Sequence, residues 1–313
     1  MNRFHGAFLA FLLASGPALA AAPYPKGVAQ AGLQSVFDAR PGPVRGFKSD
    51  FRAGPPKGFS GIVAGTFGWR GGGALKDFDA SGYELYFNGG AFTLDNLRFS
   101  ATKGLYTFAV GHVNGGGGPA RLTLTNSVVD QANPRSDRGS ISIGRGSTFS
   151  ASRVSFLHAS NTNLNIDGDS TLTDVYFDSP GQNPTGDAHT EGPHYYSGTH
   201  TVTRGFFDAR GFAGHNTHAT GLLYVEAANG DVDVTIKDSI LAGARGIGIY
   251  SPIQVMAKQG LHAALHMENV VLQAGDYAGG NAAMRYVISG PNGVTITCHN
   301  CRDYDTGQVI DTL

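Results

Sequence analysis

The chain is 313 residues long, carries a formal charge of −1 and is 15% charged. That near-neutral balance leaves no electrostatic footprint for nucleic acid. Its 46 glycines are about twice the usual ~7% share, which predicts many short turns and strands and few long solvated helices.

The first twenty residues read as a secretory signal peptide. Arg3 supplies a positive start, AFLAFLLA over 7–14 is a short apolar run, and Ala18-Leu19-Ala20 fits the small-residue cleavage pattern. The apolar run is too short to span a bilayer, and no later stretch approaches the roughly 18–20 residues required. The expectation is an exported chain, secreted or periplasmic, monomeric and without a membrane span.

Residues 21–70 are rich in Pro and Gly and carry Arg40, Arg45, Lys48, Arg52 and Lys57 against Asp38 and Asp50. Two readings compete. A basic arm would dock an acidic polymer, whereas an extended segment would cover the first repeat, since terminal repeats need a cap. The cap is the preferred reading, with Phe67 and Trp69 starting its packing onto the body of the fold at 71–313.

That body is repetitive. One strand-like pattern recurs as FTLDNLRF (92–99), LTLTNSVV (122–129), FSASRVSF (149–156) and STLTDVYF (170–177), then as HTVTRGFF (200–207), VTIKDSIL (234–241), LHMENVVL (265–272) and VTITCHNC (294–301). Its fifth residue serves as an anchor: Asn96, Asn126, Arg153, Asp174, Arg204, Asp238, Asn269 and Cys298. Anchors lie 21 to 34 residues apart, within the range of stacked repeats. Within each copy, apolar residues alternate with Thr or Ser at period two, which marks a strand with one buried face. Irregular spacing around a constant strand means that loops of different length leave each coil. A propeller blade would need about 40–50 residues, and a sandwich would show a hairpin signal in every repeat. The fold expected is all-β: a right-handed parallel β-helix with an extended N-terminal capping segment.

The stretch GDAHTEGPHYY (186–196) concentrates the chemistry. Carrying the 30-residue offset between Asp174 and Arg204 back along the chain sets His194 over Leu164 and Tyr196 over Ile166. His194 and Tyr196 then point inward, and Asp187, His189, Glu191 and Tyr195 point outward. Asn161, Asn163 and Asn165 lie beneath them on the preceding coil. His200 occupies a position held elsewhere by Phe92, Leu122 and Phe149, and is expected to be a hydrogen-bonded core histidine. His215 and His218, in the loop GFAGHNTHATG, can fold back over the same face.

The eight copies, together with the segment TDVYFDSPGQNPTGDAHTEGPHYYSGTHTVTRGFFD, resemble the secreted right-handed parallel β-helix proteins of the pectate-lyase-like superfamily. Many of its members carry a His followed two residues on by Asp-Gly and then Ile-Gln. Here His189, Glu191 and Gly192 keep that layout, with Glu for Asp and Pro193-His194 for Ile-Gln. The resemblance spans about residues 60–301. It implies the fold strongly and the activity weakly, since the superfamily contains lyases, hydrolases, isomerases and proteins without known activity.

Asp187 and Glu191 would sit roughly 13 Å apart on a strand, too far for the paired carboxyls of a glycosidase at about 5–9.5 Å. β-Elimination on a uronate polymer needs a base, an acid and a group that neutralises the sugar carboxylate. His189 as base, Tyr195 as acid, and Arg204, Arg210 or His215 as neutraliser form such a set. Asp187 would orient His189 or hold a cation such as Ca²⁺, although no cofactor is required. The remaining polar residues would bind polysaccharide. The same wide spacing disfavours one Zn²⁺ shared by Asp187, His189 and Glu191. The competing reading is a non-catalytic glycan-binding or structural solenoid. At the C-terminal end, Cys298 and Cys301 read as a local disulfide or as two small buried thiols.

Overall fold

The computed structural model describes residues 23–39, 46–100, 106–111, 117–131, 140–159, 162–178, 190–209, 219–243, 252–275, 286–310 and 313. The expected signal peptide therefore lies outside the described residues, as do Asp187, His189, Asn161, Arg210, His215 and His218.

Two parallel sheets run the length of a β-solenoid of stacked coils. The longer sheet is built on the repeated segments, in the order Gly73–Asp79, Gly90–Phe99, Ala120–Asp130, Thr148–Leu157 and Asp169–Asp178, followed by Gly198–Thr203 with Phe206–Asp208, Val232–Ala242, Ala263–Leu272 and Val294–His299. The shorter sheet stacks the strands between them: Glu84–Asn88, Tyr106–Val110, Ser140–Ile143, Leu164–Ile166, Pro193–Tyr195, Leu223–Ala227, Ile253–Ala257 and Val287–Ser289.

The anchors bend each long strand. Asn96, Asn126, Arg153, Asp174, Arg204, Asp238 and Asn269 all take positive φ, between 48° and 56°. A single left-handed residue turns the strand so that its two arms present Phe92, Leu94, Leu97 and Phe99 to one common core. The αL conformation costs a residue with a Cβ, and side chains bonded from rung to rung offset that cost. Asn96 Nδ2 donates to Asp77 Oδ1 at 2.8 Å, Arg153 Nε to Asn126 Oδ1 at 2.6 Å, and Asn269 Nδ2 to Asp238 Oδ1 at 2.8 Å. The last rung corrects the sequence reading. Met267 pairs with Cys298, so Asn300 rather than Cys298 stands over Asn269 and donates to its Oδ1 at 2.9 Å. The two-residue slip keeps side-chain parity, which is why the alternation did not reveal it. Cys298 and Cys301 form a disulfide, and Cys301 is buried.

The core is a continuous apolar column that includes stacked rings. Phe177 lies between Phe156 at 4.8 Å and Phe207 at 4.9 Å, with interplanar angles of 12° and 13°. Phe51, Phe59 and Trp69 close the first coil over Phe78, Phe87 and Phe92. The segment before them does something the cap reading did not anticipate. Two short helices, Lys26–Ala31 and Gln34–Asp38, lie along the outside of the later coils, where Val28, Leu33 and Val36 pack on Tyr176, Phe206, Ile240 and Val271. Those four residues form one outward column of the longer sheet. The N-terminal strap thus gives the second arms that carry Tyr176, Phe206, Ile240 and Val271 two buried faces.

Candidate functional site

The shorter sheet carries the polar chemistry on its outer face, in a register that differs from the expectation by one residue. Leu164 pairs with Pro193, Asn165 with His194 and Ile166 with Tyr195. On the longer sheet the same two coils pair Ser170 with His200. Asp167–Asp169 link the two sheets in one coil, and Tyr196–Thr199 link them in the next, one residue more. A one-residue change inverts every side chain of a strand. Tyr195 is therefore inside, fully buried, and burial raises the pKa of its phenol. As a proton donor to an external substrate it has no access. His194 and Tyr196, expected inside, belong to the outer face.

Three further expectations change place. Arg204 sits on the anchor ladder between the arms of the longer sheet, away from this face. Its Nε and Nη2 bond Asp174 Oδ1 and Oδ2 at 2.6 and 2.8 Å, and that bond, followed by the charge pairing, lowers the Asp174 pKa. Asn163 is buried, not outward: its Nδ2 donates to Gln131 Oε1 at 3.2 Å, while Gln131 Nε2 donates to the Asn163 carbonyl at 2.7 Å. Glu191 is 4% exposed and turned onto its neighbours rather than offered to solvent. Asn165 does face outward, and its Oδ1 accepts from the Tyr196 hydroxyl at 3.3 Å.

His194 organises the face. Its Nδ1 lies 3.0 Å from Glu191 Oε2 and its Nε2 3.1 Å from Glu226 Oε2. Only the doubly protonated ring can donate to both carboxylates. Burial opposes that charge, but the hydrogen bonds to Glu191 and Glu226 outweigh it and the His194 pKa is raised. Reciprocally, the hydrogen bond from His194 lowers the Glu226 pKa against a smaller burial effect. The Tyr196 ring stacks on the imidazole at 3.9 Å and Tyr224 meets it edge-on at 4.3 Å. Burial, then the charges of Glu191 and Glu226, push both phenols up, Tyr224 to about 12 with Glu226 ahead of Glu191.

Backbone geometry holds these groups in place. Thr190–Glu191 pairs in parallel with Ala219–Gly221 through a register irregularity that sets Glu191 beside the sheet proper. The next residue must be glycine, because a Cβ on Gly192 would lie 1.7 Å from the Leu222 carbonyl oxygen. Thr162 Oγ1 donates to Glu191 Oε2 at 3.4 Å, and Ser197 Oγ donates to Asp167 Oδ1 at 2.6 Å. A cavity of about 210 Å³ opens beside Tyr196, lined by Ser142, Gly144, Asn165, Asp167 and Asn229. Inside the sheet, His200 bonds Ser170 Oγ through Nδ1 at 3.0 Å and the Ser197 carbonyl through Nε2 at 2.9 Å, as a core histidine should.

Tyr224 and Glu226 escaped the sequence reading although their signal was present. LYVEA alternates Leu223, Val225 and Ala227 inward with Tyr224 and Glu226 outward. Attention to the anchored repeat hid these shorter strands between the copies. Among the described residues no group of three or more His, Cys, Asp or Glu side chains could hold a metal ion. Among them, too, no helix is long and apolar enough to cross a membrane. Comparison with protein-family models, curated proteins and solved structures found no match to this chain.

Proposed function

We propose that this chain is an exported polysaccharide-active protein, related to the secreted pectate-lyase-like β-helix proteins, whose glycan lies on the outer face of the shorter sheet. The observation that carries the reading is the pair of rings about His194, Tyr196 stacked and Tyr224 edge-on, with Glu191 and Glu226 bonded to that imidazole and Asn165, Asp167 and Tyr196 lining a cavity. Aromatic rings give sugar C–H faces an apolar surface, and the few convergent polar groups fix their hydroxyls. The stacked-coil architecture supports the family reading. β-Elimination has lost two of its assigned groups, with Tyr195 inside the core and Arg204 pinned on the ladder.

Affinity electrophoresis of the purified protein against neutral and uronate-containing polymers tests the proposal. Retardation by at least one polymer is expected, together with a loss of about tenfold or more in affinity for the Tyr196→Ala and Tyr224→Ala pair at unchanged thermal stability. No retardation by any polymer, or retardation indifferent to both tyrosines, refutes it.

A further inference from the structure

Gly144, Asp167, Tyr196 and Glu226 follow one another on successive coils, each one residue beyond a paired inward position. The first of them has to be glycine, since a Cβ there would lie 2.7 Å from the Gly111 carbonyl oxygen. Its missing side chain leaves space beside Asp167, and the cavity of about 210 Å³ lies there. That volume is below the roughly 300–1,000 Å³ of most ligand pockets, so it suits one sugar unit rather than a stretch of chain. Among the described residues that line it, Asp167 is the only charged one. Its Oδ1 accepts from Ser197 Oγ at 2.6 Å, and it has no cationic partner among the described residues. The acids of the longer sheet differ: Asp77, Asp95 and Asp174 meet Lys48, Lys76 and Arg204 at 3.0, 3.2 and 2.6 Å.

The surroundings add negative charge. After burial, which is the largest cause, Glu191, Glu226 and Asp167 all raise the pKa of the Tyr196 phenol. Against these three carboxylates stand the His194 imidazolium, already bonded to Glu191 and Glu226, and Lys258, which acts on Glu226. We infer that the cavity takes the protonated amino group of an amino-sugar glycan, with Asp167 as its counter-charge and the Tyr196 ring as part of its wall. The inference rests on the glycan reading above and narrows it to polymers that carry free amines.

An ammonium group brings three donors and a positive charge. Asp167 supplies a charged acceptor, and Ser142, Asn165 and Asn229 supply neutral ones around the same space. Tyr196 adds a ring to the lining, and an aromatic face attracts cations through its quadrupole. A sugar hydroxyl also bonds a carboxylate, but it leaves the charge of a half-buried Asp167 uncompensated. A uronate meets like charge and no cation in the lining. N-acetylation of the amine removes the charge and two of the three donors, so it should cancel the advantage.

The test uses the full-length protein and three oligosaccharides that share one backbone linkage, those of glucosamine, N-acetylglucosamine and glucose, beside oligogalacturonate with and without Ca²⁺. Affinity is read by titration calorimetry at mildly acidic pH, where the amine is protonated, in low and in high salt. Expected is a preference of at least about tenfold for the glucosamine oligomer over the other two, shrinking in high salt. Asp167→Asn should bring that preference to within about twofold of parity. Glu268→Gln removes the same charge from the longer sheet, where Glu268 pairs with Lys237, and should leave the preference in place. Equal affinity for the three oligomers, tighter binding of the galacturonate in either condition, an undiminished preference in Asp167→Asn, or one that Glu268→Gln also abolishes would each overturn the inference while leaving the glycan face standing. Should no oligosaccharide or polymer bind, the glycan reading falls and the inference with it.

Discussion

Replacing the buried polar pair Ser170 and His200 together, as Ser170→Ala/His200→Leu, should abolish a defined part of this protein's acid sensitivity. His200 is fully buried in a column continued by Phe149, Ser170, Val234 and Leu265. Burial pushes its pKa from 6.5 down to about 4, with a smaller opposing effect from the Ser197 carbonyl. The unfolded chain therefore binds a proton that the folded one refuses. Stability from this group is complete above pH 6.5 and is lost as pH falls toward 4, below which both states are protonated. At 1.36 kcal/mol per pKa unit the loss is about 3 kcal/mol. Urea midpoints at several pH values, with the slope checked for constancy, measure it. His194, Glu226 and the ladder carboxylates titrate in both proteins and cancel in the difference. At pH 7.5 the variant should lie about 1–3 kcal/mol below the parent, since the Ser197 carbonyl loses the His200 Nε2 donor while Ser170 and His200 become apolar together. Parallel stability curves from pH 7 to 4 would refute the assignment of a neutral, desolvated His200.

Three other substitutions test the packing. Phe177→Ala removes the middle ring of the Phe156–Phe177–Phe207 stack and should cost about 4 kcal/mol by urea denaturation; a loss under 1.5 would mean that the column collapses to fill the gap. Leu33→Ala, in the strap over Phe206 and Ile240, should cost about 2–3 kcal/mol and increase binding of an apolar dye, whereas no change would place the strap outside the cooperative fold. Arg204→Ala should cost less than about 1 kcal/mol, because the Arg204–Asp174 pair is well exposed and screened. A drop of 2 kcal/mol or more in the same assay would make that rung a structural necessity.

The second-arm residues show why part of the fold escaped a reading of the sequence. VYF at 175–177 and GFF at 205–207 are apolar on both faces, which in a strand signals burial on both sides. The one-sided reading of the repeat left Tyr176 and Phe206 unexplained, and their partners Val28, Leu33 and Val36 lie far away in sequence. Local alternation cannot name a partner at such a distance. The site was half legible for a related reason. Glu191, His194, Tyr196 and Asn165 were singled out in the sequence, but which of them faced out depended on a turn whose length changes between coils.

By itself the sequence determined the solenoid, the inward column of Phe, Leu, Val and Ile residues and seven of the eight anchors, those from Asn96 to Asn269. Each of these follows from a two-residue alternation and a repeated anchor that any coil can express locally. The tertiary structure alone decided the face of the shorter sheet. Four residues, Tyr196–Thr199, span the turn that Asp167–Asp169 span in the coil beneath. That single extra residue turns His194 and Tyr196 outward to Glu226, and Tyr195 inward to His200. A strand has two sides and a period of two, so its register is settled only when neighbouring coils pair.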